Sequence, residues 1–293
     1  MTAPSRLKAS DKSGICKKLV GVLKKRYKGV AVPKERSVLD TMLYAVCVEN
    51  TTPDQADAAI ERLMSGFHDL NEIRVSSVTE LTSAFEGMEG AEWRAVQTRA
   101  ILQYVFEKHF AFDFEPLRKK TLDLAQKQIG KIRELSPFVR AWTLQEALGS
   151  HTVPMDAAMT RASIWLGLAD VGSNEEQASS ALRPVLRKNE APIFCELLRA
   201  FGADPKYRRT LEQALASPPA NGFDVNTAPS RLSQLLGGEG VIEDDEDAPK
   251  SKGSKSAGKA AAKPAAKASK EKTGSKSSKA ETPKSTRPKS RSN

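Results

Sequence analysis

The chain has 293 residues, 39% hydrophobic and 6% aromatic, with 46 Lys plus Arg against 36 Asp plus Glu for a formal charge of +10. The excess is local: residues 250–293 hold 14 basic and 2 acidic side chains, with alanine as their only hydrophobic residue type, so the preceding sequence is close to neutral. A start without an apolar h-region, a longest apolar run of only Met42–Val48, and three widely separated cysteines exclude a secretory signal, a bilayer span and a disulfide framework or zinc motif.

Helical periodicity runs from residue 13 to about 236. Ser13 caps an expected first helix with Ile15, Leu19, Val22 and Leu23 on one face and Lys17, Lys18, Lys24, Lys25 and Arg26 on the other. Val38 to Val48 predicts a buried central helix. Thr52-Pro53-Asp54 reads as a cap and first turn, with Ala59, Ile60, Leu63 and Met64 as the inward stripe. Ser77 and Glu80 form a capping box opening a short helix to Phe85, and a turn at Gly87–Gly90 precedes a long helix, Trp93 to Phe110, with Val96, Ala100, Ile101 and Val105 as its seam. Further helices are expected at 122–135, ended by Ser136-Pro137, at 140–148, and at 157–166, capped by Asp156. The last are at 174–186 and 192–201, with a weaker one at 207–216. Strand signals are nearly absent, no period repeats, and the short connections predict a compact all-α bundle.

Three segments follow from composition: a helical domain at 1–236, an acidic linker at 237–249 holding Glu239 and Glu243 to Asp247, and a Lys/Ala/Ser/Pro tail at 250–293. The tail has no apolar face to bury and is expected to be disordered. Its regularly spaced lysines, among them Lys252, Lys255, Lys259, Lys263 and Lys267, suit neutralisation of phosphates with release of counterions, which gives salt-dependent, sequence-independent affinity. The acidic linker is a candidate competitor for that tail, and Lys284–Arg291 a candidate nuclear address.

The ordered helices carry a resemblance. Met42-Leu43-Tyr44-Ala45-Val46 leading into Glu49-Asn50-Thr51-Thr52 resembles the second-helix region of the helix-hairpin-helix DNA glycosylases, the endonuclease III superfamily. Val153-Pro154-Met155-Asp156, then Arg161, then Leu166-Gly167-Leu168, resembles the stretch around that family's catalytic aspartate, and 87–101 and the Leu135 region fall in the right order between them. The resemblance covers roughly residues 17–205. It implies a two-lobed all-α fold, duplex DNA as partner, a monomer, no membrane association, a location in the cytoplasm at the nucleoid (or in the nucleus of a eukaryote), and a base-excision role.

By the same resemblance Asp156 is the carboxylate that stabilises an oxocarbenium-like sugar and steers water to it, while Glu49, Asn50, Arg140 and Arg161 fall at DNA-contacting positions. The chain departs from the family at defined points. The glycine-rich hairpin, whose N–H groups approach a phosphate, is replaced by Leu135-Ser136-Pro137-Phe138-Val139-Arg140-Ala141. Ala141 stands where bifunctional members have the Schiff-base lysine, so no lyase step is expected. Glu49 replaces the usual gap-filling glutamine, and the four-cysteine cluster is missing, so neither an iron–sulfur cluster nor any other cofactor is expected.

Each candidate also has a plainer role. Asp156 is a good helix N-cap, Glu49 a solvated helix end, Arg161 one half of a surface pair, His151 a loop histidine, and Trp93, Trp142 and Trp165 core residues. Three functions are therefore open: a monofunctional glycosylase acting through Asp156, a catalytically inactive DNA-binding or chromatin-associated relative, and a helical protein–protein module with a solubilising tail. The first requires a concave basic-rimmed pocket with Asp156 at its mouth.

Overall fold

The computed structural model describes residues 9–28 and 35–241; the acidic run 243–247 and the whole tail, with its five candidate lysines, lie outside the described residues. Among the described residues the secondary structure is helical throughout: α1 (Ala9–Arg26), α2 (Val38–Val48), α3 (Pro53–Ser65), α4 (Leu70–Val75), α5 (Val78–Thr82), α6 (Ala91–His109), α7 (Leu122–Ile129), α8 (Pro137–Glu146), α9 (Ala157–Trp165), α10 (Glu175–Leu182), α11 (Ala191–Gly202), α12 (Pro205–Ala216) and α13 (Ala228–Leu236), with short 3-10 turns at 83–85, 115–119 and 225–227.

The main helix packings fall into two sets, which are the two lobes. In the first, α2 packs against α3, α6 and α8, while α4 and α5 lie on α6 and α7 lies on α8. In the second, α9 packs against α10, α11 and α12, and α1 lies along α11 and α13. The chain thus starts in the second lobe, builds the first with α2–α8, and returns. Each lobe has a helix with almost no solvent face. All of α2 except Asp40 is buried, and Ala158, Met159, Thr160 and Ala162 through Trp165 are buried in α9. Phe138 with Trp142, and Trp165 with Phe201 and Tyr207, fill the two interiors.

The caps sit where their chemistry puts them. Thr52 with Gln55, Ser77 with Glu80, and Asn174 with Gln177 form reciprocal capping boxes, and Asp156 caps α9. Several boundaries and faces differ from expectation. α1 begins at Ala9, a turn before Ser13. In α3 the buried set is Ala56, Ala59 and Leu63, and Met64 is exposed. α7 stops at Ile129, six residues short of Leu135, and α8 begins at Pro137 rather than Arg140, because Ser136 accepts from the Val139 N–H and Pro137 is preset for a first turn. Trp93, expected in the core, is 50% exposed.

Close approach of the helices in the second lobe depends on one small residue. A Cβ on Gly202 would stand 2.5 Å from the Ala158 carbonyl oxygen, so α11 lies against the first turn of α9 only because position 202 has no side chain.

Candidate functional site

The C-terminal end of α2 meets the N-terminal end of α9 at the joint between the lobes, and the residues singled out from the sequence gather there. Asp156 precedes α9 with extended backbone, and its Oδ1 accepts the Met159 N–H at 2.7 Å. Its Oδ2 accepts the Asn50 backbone N–H from the other lobe at 2.8 Å. Asn50 reciprocates: its side-chain Oδ1 accepts the Ala158 N–H at 3.1 Å. This double tie needs Asn50 at φ 55°, in the left-handed region, where asparagine is several-fold enriched over other side chains.

Asp156 is only 2% exposed. Burial pushes its carboxyl above the ordinary aspartate range, and the N–H groups of Met159 and Asn50, with the charges of Arg199 and Arg161, pull it part of the way back. Neither of the two described grooves is lined by Asp156. The described grooves lie elsewhere: one of about 680 Å³ runs between α7 and α8 past Lys127, Arg140 and Thr152, and another lies beside Gly167 and Phe223.

Two buried arginines fix the strand of chain that carries Asn50. Arg94, on α6, donates to the carbonyls of Val46, Glu49 and Glu89, completing the end of α2 where the helix leaves its own carbonyls unpaired. Arg199, on α11, donates to the Thr51 carbonyl at 3.1 Å and to Glu196 at 2.7 Å, and so reaches across from the second lobe. Gln97, also buried on α6, accepts the Ser136 N–H at 2.9 Å and ties the hairpin to the same region. None of the three was singled out from the sequence, because a polar residue within a helix reads as a surface residue. The signal that identifies Arg94 and Gln97 is their phase: they share the buried side of α6 with Thr98, Ile101, Leu102 and Val105, while Val96 and Ala100 are only half-buried.

The remaining candidates divide as follows. Glu49 is half-buried beside Ser136 and Gln97 rather than solvated, and burial raises its carboxyl above the usual range. Arg161 lies 3.5 Å from Glu212 on α12, the surface-pair role. Arg140 folds back, its Nη2 on the carbonyls of Ile132 and Arg133 at 3.1 and 3.2 Å, so it braces the hairpin from inside. His151 places Nε2 2.9 Å from the Leu186 carbonyl. Trp142 and Trp165 are buried, as expected.

Most of the hairpin's donors are already used. Its N–H groups at Lys131, Ile132, Leu135, Ser136, Val139 and Arg140 are all bonded within the protein, and Pro137 has none. Cys16, Cys47 and Cys195 are buried free thiols, with burial pushing each up to about 12. Among the described residues no group of three or more His, Cys, Asp or Glu is placed to hold a metal, and no helix is long and apolar enough to cross a membrane.

No family model and no curated protein matches the chain. Solved structures do. A trapped endonuclease III–DNA covalent intermediate, the estranged-adenine complex, superposes with a TM-score of 0.51 at 13% identity, over 67% of this chain and 86% of that one. A non-covalent endonuclease III–DNA complex gives 0.50 at 14% identity, with the same coverage. At these identities the likeness is one of architecture: two helical lobes joined at Asn50 and Asp156 are this chain's version of the endonuclease III fold.

Proposed function

We propose that the protein binds duplex DNA and does not excise bases, Asp156 serving as the tie between the lobes rather than as the reacting carboxylate. The observation that carries this reading is the enclosure of Asp156: an N–H from each lobe occupies one of its oxygens, at 2% exposure. A carboxylate that stabilises a developing sugar cation has to face that sugar. Ala141 offers no amine for a Schiff base, Pro137 has no N–H to offer a phosphate, and the Val139 N–H is taken by the Ser136 hydroxyl. Support for DNA as the partner comes from the fold, which its neighbours present in complexes with DNA, and from the charge of the tail. Lys127, Lys131 and Arg133 are exposed around the hairpin and offer cations on the body itself. A nucleoid or a nucleus is the corresponding location.

The test is titration of a labelled undamaged duplex with the full chain at several salt concentrations. Binding whose log K falls linearly with log salt, with little preference among sequences, is the expected result. No affinity at low salt overturns the reading.

One observation favours a second reading, the monofunctional glycosylase. Asn50, which covers one oxygen of Asp156, sits in the left-handed region at φ 55°, and strained backbone of this kind clusters at sites that work by moving. Base release that depends on Asp156 would establish it.

A further inference from the structure

The outer face of α1 repeats itself. Gly14-Ile15-Cys16-Lys17-Lys18-Leu19-Val20 is followed by Gly21-Val22-Leu23-Lys24-Lys25-Arg26-Tyr27, a seven-residue pattern in which Ile15, Cys16, Leu19 and Leu23 are buried and both glycines and all five cations are exposed. Seven residues are two helical turns less about 20°, so Gly14 and Gly21, and the lysine pairs after them, line up along one side. From Ser13 to Lys28 this helix holds no carboxylate. An ordinary solvated helix face intersperses acids among its bases, because Glu–Lys pairs a turn apart relieve repulsion.

The neighbouring elements relieve little of it. Lys17 lies 3.4 Å from Glu190 before α11, and Arg26 lies 3.9 Å from Asp204 before α12, so α1 and α11 run side by side in the same direction. Lys18, Lys24, Lys25 and Lys28 make no ion pair with described residues. The turn that delivers Glu190 adds exposed Arg187 and Lys188 at one end, and Lys206 stands exposed just beyond Asp204 at the other. The negative end of the helix dipole accounts for Lys24, Lys25 and Arg26 but not for Lys17 and Lys18 in mid-helix.

The glycines are likewise unused by the fold. A Cβ at either would meet nothing within 4 Å, yet glycine is among the least favourable residues in a helix interior. Their bare backbone lets an incoming surface come closer to the helix axis than any side chain would permit, between two pairs of lysines about 10 Å apart, roughly three base-pair steps along a duplex.

We infer that the exposed face of α1, flanked by Lys188 and Lys206, is a second docking surface for the phosphate backbone of duplex DNA, on the lobe opposite the hairpin. It rests on the proposed DNA-binding function but not on the Asp156 joint.

The test is Lys18→Gln/Lys24→Gln/Lys25→Gln in the full chain, glutamine being as good a helix former as lysine. Log K against log salt for an undamaged duplex should become shallower by about 3, one for each lysine, with affinity at about 50 mM salt at least about tenfold weaker and the gap closing as salt rises. A second variant, Gly14→Ala/Gly21→Ala, should melt at a higher temperature yet bind the duplex more weakly, a combination that an ordinary solvated face cannot give. Wild-type binding with an unchanged slope in the lysine variant overturns this inference and leaves the functional proposal standing. No wild-type binding at all removes both. An unchanged slope together with carbodiimide cross-linking of Lys18 or Lys25 to Glu243–Asp247 reassigns the face to the chain's own acidic run and also overturns it.

Discussion

Removing the Asp156 carboxylate should weaken the whole body of the protein. In Asp156→Ala two buried donors, the N–H groups of Met159 and Asn50, lose their acceptor together. A buried donor left unpaired costs about 1–3 kcal/mol, so the pair should cost about 4 kcal/mol, a large share of the ~5–15 kcal/mol by which a domain is stable. At ~2–4 °C per kcal/mol for a body of this size, the melting temperature should fall by about 8–16 °C. Asp156→Asn keeps one oxygen and an equivalent N-cap for α9 but turns an amide NH2 toward the other donor, so it should lose about half as much. The two variants also separate with pH. Burial raises the native carboxyl above its value in the unfolded chain, so ionisation opposes folding fully above the native value, and that opposition fades as pH falls toward 3.8. The gap between wild type and Asp156→Asn therefore widens on acidification. Thermal unfolding followed by far-ultraviolet circular dichroism measures both effects. A shift under ~2 °C for Asp156→Ala would refute the reasoning, since neither lobe would then depend on the tie.

Two other perturbations follow from the same structure. Glu146 is exposed at the end of α8, but the protein packed around its base and the neighbouring charge of Glu196 push its carboxyl up to about 7. Its ionisation opposes folding above that pH and has no effect below about 4.5, so Glu146→Gln should raise the melting temperature at pH 8, by a small amount because solvent screens an exposed carboxyl, and leave it unchanged at pH 4, as a pair of melts will check. Gly202→Ala drives a methyl into the Ala158 carbonyl and should cost about 1–3 kcal/mol by denaturant unfolding; a neutral result would mean that α11 can slide away from α9 freely.

Local chemistry made much of this molecule legible from sequence. Capping residues announce their helices because their side chains satisfy donors that the helix cannot: Thr52-Pro53-Asp54 located the start of α3, the Ser77–Glu80 pair that of α5, and Asp156 that of α9. α2 was plain because nothing polar interrupts Met42 to Val48. α4 is six residues long with only Ile73 buried, too short to show a period, and α13 has just Ala228, Leu232 and Leu235 inside. The end of α7 was misplaced because Ile132 and Leu135 continue its apolar rhythm while packing from a turn rather than from a helix.

The joint was half legible. Asp156 and Asn50 were visible by resemblance, but their mutual bond spans 106 residues of sequence and no local pattern encodes it. Arg94, Gln97 and Arg199 were missed because the carbonyls and N–H group they bond come from distant stretches of the chain, which only folding brings within reach. Glu49 was misread for the same reason: the hairpin residue that covers it, Ser136, lies far along the chain.

If Asp156 only ties the lobes together, its removal changes no base-release chemistry. The most direct test incubates wild type and Asp156→Asn with duplexes carrying a broad panel of damaged bases, then treats them with alkali to reveal abasic sites. No strand breaks above background are expected from either protein, under conditions where both bind the duplexes. Abasic sites made by the wild type and lost in Asp156→Asn, with binding intact, would contradict it and return the carboxylate to catalysis.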